Sequence, residues 1–226
     1  MNMKQLAAEK AVEYVQDGMR VGLGTGSTAY WAIEKIGQRV KEGLRITAVA
    51  TSLASEEQAR GLGIPLVSFA DIDSLDLTID GADELDGQLQ LIKGGGGALL
   101  REKIVAAGST RMIVVADESK KVDTLGKFPL PVEIVPFAWE WTLAELIKLG
   151  CEAELRQGKD GLYVTDNGNY IADCHFGAIA SAPALQQALR EIPGMVEHGL
   201  FLGIASLAII GRSDGRIEIL ESEAGA

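Results

Sequence analysis

The stretch Met19-Arg20-Val21-Gly22-Leu23-Gly24-Thr25-Gly26-Ser27-Thr28 decides the fold. Its first half is a short apolar run of strand length over 19–23. Its second half is a glycine-rich turn that opens a helical pattern over 28–40. Further β-like runs at 45–50, 66–69, 75–79, 89–92 and 111–116 alternate with helical patterns at 55–60 and 98–107. An N-terminal helical period covers 2–16, with Met3, Leu6, Ala7, Ala11, Tyr14 and Val15 on its apolar positions. Strands separated by helices predict crossover connections, hence an α/β fold with a doubly wound, mostly parallel, Rossmann-like sheet covered on both faces. Ligands of such sheets sit beyond the carboxyl ends of the strands.

The pattern changes after Lys127-Phe128-Pro129-Leu130-Pro131. From there the expected order is strand 131–135, helix 138–149, strands 152–156 and 162–173, helix 182–191 and strand 196–202. This β-α-β-β-α-β order is that of a ferredoxin-like α+β unit. The expected division is therefore a smaller inserted domain over 130–204. Residues 1–129 and 205–226 form the larger catalytic domain, to which the runs 204–210 and 217–220 return.

The 226 residues include 27 glycines, where average usage of about 7% would supply roughly 16. Four are consecutive, Gly94 to Gly97, which suits a backbone that must approach a ligand closely. With 21 Lys and Arg against 32 Asp and Glu, the formal charge is −11. Such a surface repels phosphodiester backbones, so a nucleic-acid partner is not expected. Cys151 and Cys174 lack metal-site spacing. The longest nearly apolar run, 199–211, is shorter than the ~20 residues needed to span a bilayer. No membrane partner is expected, and the chain reads as cytoplasmic.

Four loops carry candidate chemistry. In Gly22-Leu23-Gly24-Thr25-Gly26-Ser27-Thr28, amides and the Thr25, Ser27 and Thr28 hydroxyls at a helix N-terminus can hold a phosphate. It is not a dinucleotide fingerprint, because Ser27 replaces the third glycine and Ala50-Thr51-Ser52 ends strand two without an acid. Asp80-Gly81-Ala82-Asp83-Glu84 offers carboxylates for sugar hydroxyls or for Mg²⁺, or forms a plain polar turn. Lys93-Gly94-Gly95-Gly96-Gly97 is not a Walker loop, since its lysine precedes the glycines. Successive amides there can form an anion nest with Lys93 as a point charge. In Ala116-Asp117-Glu118-Ser119-Lys120-Lys121, either lysine could reach a phosphate or remain a surface lysine.

Glu102 is the most informative single residue. Its same-face helical neighbours Ala98, Leu99, Val105 and Ala106 are all apolar, while Arg101 and Lys103 point about 100° away. Desolvation on such a face raises a carboxyl toward neutral pKa, as a general base requires. His175 and His198 have no nucleophile partner and read as structural. Together the parts suit proton transfer between adjacent carbons of a phosphorylated aldose. Glutamate is the base, and Lys93 with the glycine amides stabilises an enediolate, without cofactor or metal.

The strings Gly24-Thr25-Gly26-Ser27-Thr28, Asp80-Gly81-Ala82-Asp83-Glu84, Lys93-Gly94-Gly95-Gly96 with Arg101-Glu102-Lys103, and Gly126-Lys127-Phe128-Pro129-Leu130-Pro131-Val132-Glu133 resemble the type A ribose-5-phosphate isomerase family. Thr165-Asp166-Asn167-Gly168-Asn169 matches as well, and the motifs keep the family's order over nearly the whole chain. The resemblance implies interconversion of D-ribose 5-phosphate and D-ribulose 5-phosphate in the non-oxidative pentose phosphate pathway by a metal-independent homodimer or homotetramer. It implies Glu102 as proton acceptor, an aspartate of the Asp80–Asp83 loop in ring opening, and Lys93 against developing negative charge. It implies substrate contacts from Thr25, Gly26, Ser27, Thr28, Asp80, Gly81, Ala82, Asp83, Lys93, Gly94, Gly95, Gly96 and Lys120, with Lys4 near the phosphate. The chain departs from the family in having glycine at 97 and no aspartate near Ser206. The rival readings are a non-catalytic sugar-phosphate-sensing domain and a Mg²⁺-dependent sugar phosphohydrolase.

Overall fold

The computed structural model describes residues 2–222. Its first half runs α1 (Met3–Val12), β1 (Arg20–Leu23), α2 (Ala29–Lys41), β2 (Thr47–Ala50), α3 (Leu53–Gly61), β3 (Leu77–Gly81), β4 (Glu84–Leu85), β5 (Leu91–Ile92), α4 (Leu99–Ala107) and β6 (Met112–Asp117). The second half runs β7 (Leu130–Ile134), α5 (Trp139–Lys148), β8 (Glu152–Leu155), β9 (Gln157–Gly158), β10 (Gly161–Leu162), β11 (Tyr170–His175), α6 (Ala182–Arg190), β12 (Met195–His198), β13 (Leu200–Phe201), β14 (Leu207–Gly211) and β15 (Ile217–Glu221).

The central sheet has the order β15-β14-β6-β3-β1-β2 and is parallel except for its edge pair β14–β15. This is the expected doubly wound α/β sheet. Strand β6 shows why both its faces are covered. Ile113 and Val115 enter a core with Ala7, Ala11, Ile33 and Ile36 of α1 and α2. Met112, Val114 and Ala116, on the opposite face, pack with Leu91, Ala106 and Phe201. Side chains alternate across a strand, so a strand buried on both faces must be apolar throughout.

The chain passes from β1 outward to β2, then returns across β1 to β3 on its other side. The strand order therefore reverses at β1 and β3, and a crevice opens beyond their carboxyl ends. A second, four-stranded antiparallel sheet has the order β12-β7-β11-β8. Its own apolar cluster includes Val132, Ile134, Leu146, Ala172, Cys174 and Leu189.

Four expected elements are corrected. The helix expected over 2–16 ends at Val12, and the chain turns through Gly18 at φ +84°. The strand expected over 66–69 is a single bridge from Leu66 to Ala48, because Ser68 Oγ accepts the Ala70 N–H at 3.2 Å and starts a 3₁₀ turn. The strand expected over 162–173, with a hairpin turn or bulge open to it at Asp166-Asn167-Gly168-Asn169, breaks there, since Glu133 Oε1 accepts bonds from Thr165 Oγ1 (2.9 Å), Asn167 Nδ2 (3.1 Å) and Asn169 Nδ2 (2.9 Å), folding 165–169 into a loop. The strand expected over 196–202 changes sheets at Gly199. That residue donates to Pro131 O (2.7 Å), accepts from Lys93 N (2.9 Å), and passes the chain to β13 beside β5. A Cβ at Gly199 would lie 2.3 Å from Lys93 O, so only glycine allows this approach. Ser206, where the family pattern suggests aspartate, donates from its hydroxyl to Met112 O at 3.0 Å.

Candidate active site

The crevice at the switch point is lined by Lys4, by Thr25, Gly26, Ser27 and Thr28 after β1, and by Gly81, Ala82 and Asp83 after β3. Lys93, Gly94 and Gly96 after β5, Glu102 of α4, and Lys120 after β6 complete it. All were singled out from the sequence. Asp80 and Gly95, also expected to touch substrate, are not on the lining and act from behind it.

Asp80 is fully buried and organises two loops. Its Oδ1 accepts the N–H groups of Thr25 (3.0 Å) and Gly81 (2.7 Å), and its Oδ2 lies 3.1 Å from Lys93 Nζ. The first loop can come this close only because residue 24 lacks a side chain. A Cβ there would meet Asp80 Oδ1 at 2.1 Å and Asp80 Cα at 2.5 Å. Gly24→Ala is expected to cost at least ~1–3 kcal/mol of stability, as for other overpacked sites, and to displace the Thr25–Thr28 loop. Thermal melting together with the KM for the sugar phosphate measures both; unchanged values of both would contradict it.

Lys93 is 2% exposed and Glu102 4%. Lys93 Nζ donates to Gly81 O at 2.6 Å and to Glu102 Oε1 at 3.1 Å, so one ammonium serves two buried carboxylates. Burial disfavours that ammonium, but the charges of Asp80 and Glu102 together outweigh it and raise its pKa. Burial pushes Glu102 up to about 8, against the opposing pull of Lys93 and with help from Asp80. Its second oxygen, Oε2, is buried and has no hydrogen-bond partner among the described residues. A semi-desolvated carboxyl with one free oxygen at the lining of a cleft is equipped to accept a proton.

At the other end, Thr25 Oγ1 turns away into a cluster with Thr51 Oγ1 (2.6 Å) and Ser52 Oγ (2.8 Å), which fixes the loop. Ser27 Oγ accepts from Lys4 Nζ at 2.8 Å. Helix α2 begins at Ala29 with no acidic residue in its first turn and no side chain capping it, leaving its positive end open. Asp83 Oδ2 accepts the Gly95 N–H at 2.7 Å, so the second and third loops are joined.

Sequence reasoning missed the groups that brace these loops. Lys103 reaches Glu197 Oε1 (2.6 Å) and His198 O (2.5 Å), tying α4 to β12. Burial lowers its pKa to about 8, with Glu197 opposing. His198 is structural as expected, and burial with the nearby Lys103 lowers it to about 4. Arg101 Nε donates to Asn167 Oδ1 at 2.8 Å, and Leu53 N donates to Asp166 Oδ2 at 2.8 Å, so the 165–169 loop straps α4 to α3. Only the Thr165–Asn169 motif hinted at this.

The sequence model of the family described as Ribose 5-phosphate isomerase A (phosphoriboisomerase A) matches residues 47–215. The chain belongs to that family. It is 56% identical over 216 residues to ribose-5-phosphate isomerase A of Bacillus mycoides, covering 95% of this chain and 98% of that one. It is 51% identical over 222 residues to that of Listeria monocytogenes, covering 98% and 99%. Among solved structures, the ribose 5-phosphate isomerase of Plasmodium falciparum superposes with a TM-score of 0.94 at 39% identity, covering 97% and 98%. A D-ribose-5-phosphate isomerase in complex with phospho-erythronic acid gives 0.93 at 41% identity, covering 98% and 100%. Membership in this family makes the chain an isomerase.

Proposed function

We propose that the cleft interconverts D-ribose 5-phosphate and D-ribulose 5-phosphate through an enediolate, with Glu102 as the base. The observation that carries this reading is the free, buried Oε2 of Glu102 at the cleft lining, beside the Lys93 ammonium. In the open-chain aldose, the Glu102 carboxylate takes the proton from C2, and the C–H electron pair becomes the C1=C2 bond as charge passes to O1. A proton then moves from O2 to O1, Glu102 returns its proton to C1, and C2 becomes the carbonyl carbon. Lys93 and the glycine-loop amides lower the barrier by meeting the oxygen where charge develops. Ring opening falls to Asp83, because Asp80 is already engaged by Thr25, Gly81 and Lys93.

The phosphate sits between Lys4, Lys120, the Ser27 and Thr28 hydroxyls and the open end of α2. A phosphorylated four-carbon acid, the ligand of one similar structure, has an anion at each end and so matches a site with two anion-binding poles. This activity places the enzyme in the non-oxidative pentose phosphate pathway. The engagement of Asp80 by an ammonium also argues against the phosphohydrolase reading, which needs that carboxylate free for a cation.

The test is ribulose 5-phosphate formation in excess chelator, with deuterium from solvent followed into C1. The reading expects full wild-type turnover in chelator, with label at C1 reporting exchange of the proton held on Glu102 before its return; loss of turnover in chelator would contradict it. Lys4→Ala and Lys120→Ala are each expected to raise KM with little change in kcat, because phosphate binding is shared by ground and transition states. Steady-state kinetics decides this, and a fall confined to kcat would remove either lysine from the phosphate site.

A further inference from the structure

The glycine loop fixes only part of its own orientation, through a turn closed by the Gly97 N–H donating to Gly94 O at 2.9 Å. Four consecutive glycines have almost no conformational preference, so each peptide plane between them can present either its N–H or its C=O to the cleft. A carbonyl turned inward would repel a developing oxyanion. What holds the remaining carbonyls comes from the second, antiparallel sheet and the segment beside it. Arg156 Nη1 donates to Gly94 O at 2.9 Å and to Gly95 O at 3.1 Å, and Tyr163 OH donates to Gly96 O at 3.3 Å. The other edge of the guanidinium is held by Asp173, through Nε to Oδ2 at 2.8 Å and Nη2 to Oδ1 at 2.5 Å. Arg156 also lies over the Tyr163 ring, 5.8 Å from its centroid.

Three successive carbonyls are therefore claimed by donors outside the cleft. In a trans peptide the N–H points opposite to the C=O of the same plane. The Gly95 N–H accordingly meets Asp83 Oδ2 at 2.7 Å. The Gly96 N–H, opposite the Gly95 carbonyl that Arg156 holds, has no protein partner among the described residues, and Gly96 lines the cleft.

We propose that Arg156, assisted by Tyr163, is a positioning residue for proton transfer: it holds the glycine-loop carbonyls back so that the Gly96 N–H faces the charge forming on the substrate oxygen. This inference rests on the enediolate reading above. Arg156 touches no reacting atom; it sets the polarity of the loop that does. Lysine could not replace it fully, since a point charge cannot grip Asp173 with two nitrogens and the two carbonyls at once.

The test compares wild type, Tyr163→Phe, Arg156→Lys and the pair Arg156→Met with Asp173→Asn, which leaves no orphaned charge behind. Each is assayed for kcat and KM on ribose 5-phosphate. Calorimetry then measures affinity for phospho-erythronic acid and for ribitol 5-phosphate, which has the phosphate but no second anion. The paired variant is expected to lose kcat on the order of 10–100-fold with KM nearly unchanged. Its affinity for phospho-erythronic acid should fall in step while that for ribitol 5-phosphate holds. Tyr163→Phe should show the same pattern more weakly, and Arg156→Lys an intermediate loss. Unchanged kcat in the paired variant, or equal weakening of both ligands, would overturn the proposal. If the paired variant does not fold, Tyr163→Phe decides in the same terms. If wild type itself does not prefer the acid over the polyol, the oxyanion reading fails; if it does and every variant keeps that preference, only the role of Arg156 fails.

Discussion

Glu102→Gln should lower isomerisation by about 10²–10⁴-fold, the usual contribution of a positioned general base, while sugar-phosphate binding persists. The amide keeps the volume and one acceptor for Lys93, so the cleft keeps its shape and loses only its proton acceptor. The same substitution should not weaken the fold. Asp80, Glu102 and Lys93 together bury two carboxyls against one ammonium, and removing one carboxyl leaves a matched pair. The sign of the pH effect follows from the raised pKa. A carboxyl near 8 in the folded chain and near 4.5 in the unfolded chain binds more proton when folded between those values. Its contribution to stability therefore falls as pH rises from about 4.5 to 8 and levels off above. The glutamine variant escapes that loss, so its melting temperature should gain on wild type across this window. In wild type, kcat/KM should climb as the carboxyl ionises near pH 8 and then flatten. A variant with near wild-type turnover would end the assignment; one whose stability deficit grows with pH would show that the carboxylate was stabilising after all.

The parts of the site visible in the sequence are those built from neighbouring residues. Glu102 could be placed on an apolar face because helical spacing is local, and Leu99, Val105 and Ala106 are buried with it. The loops after β1 and β3 were legible because each follows an apolar strand, and parallel strands end on the same edge; the third follows β5 of a small antiparallel sheet and was legible only from its lysine and four glycines. What remained hidden depends on partners far along the chain. Arg156 meets Gly94 and Gly95 across 62 and 61 positions. The angle of Lys103 on the helix, about 100° from Glu102, does not show that β12 covers that side. The turn residues at 166–169 allowed a break in the strand over 162–173, but could not reveal that Glu133, more than 30 positions earlier, would gather three side chains of 165–169 around one oxygen. Nor does hydrophobicity show a change of sheet: Gly199 lies within an apolar stretch, yet the chain crosses there to lock Lys93 in place.

Lys93→Met should be the more damaging change, because it removes both an electrophile and a counter-ion. Without the ammonium, Asp80 and Glu102 are two buried carboxyls with nothing cationic between them. Removing one partner of a buried ion pair typically costs about 3–5 kcal/mol. The chain can relieve this by keeping a proton on one carboxyl, so the stability deficit should be smallest at acid pH and widen as pH rises. Lys93 is the group that pulls the Glu102 pKa down. Its loss should therefore move the rising limb of kcat/KM to higher pH as well as lower the plateau by roughly 10²-fold or more. Adding Asp80→Asn separates the two roles. The double variant removes the paired repulsion and should recover much of the stability, with no electrophile regained and turnover still depressed. Recovery of turnover along with stability would mean that Lys93 serves the fold alone, and a change confined to KM would place it in ground-state binding. Either result would leave Glu102 working without the charge that the geometry sets 3.1 Å from its Oε1.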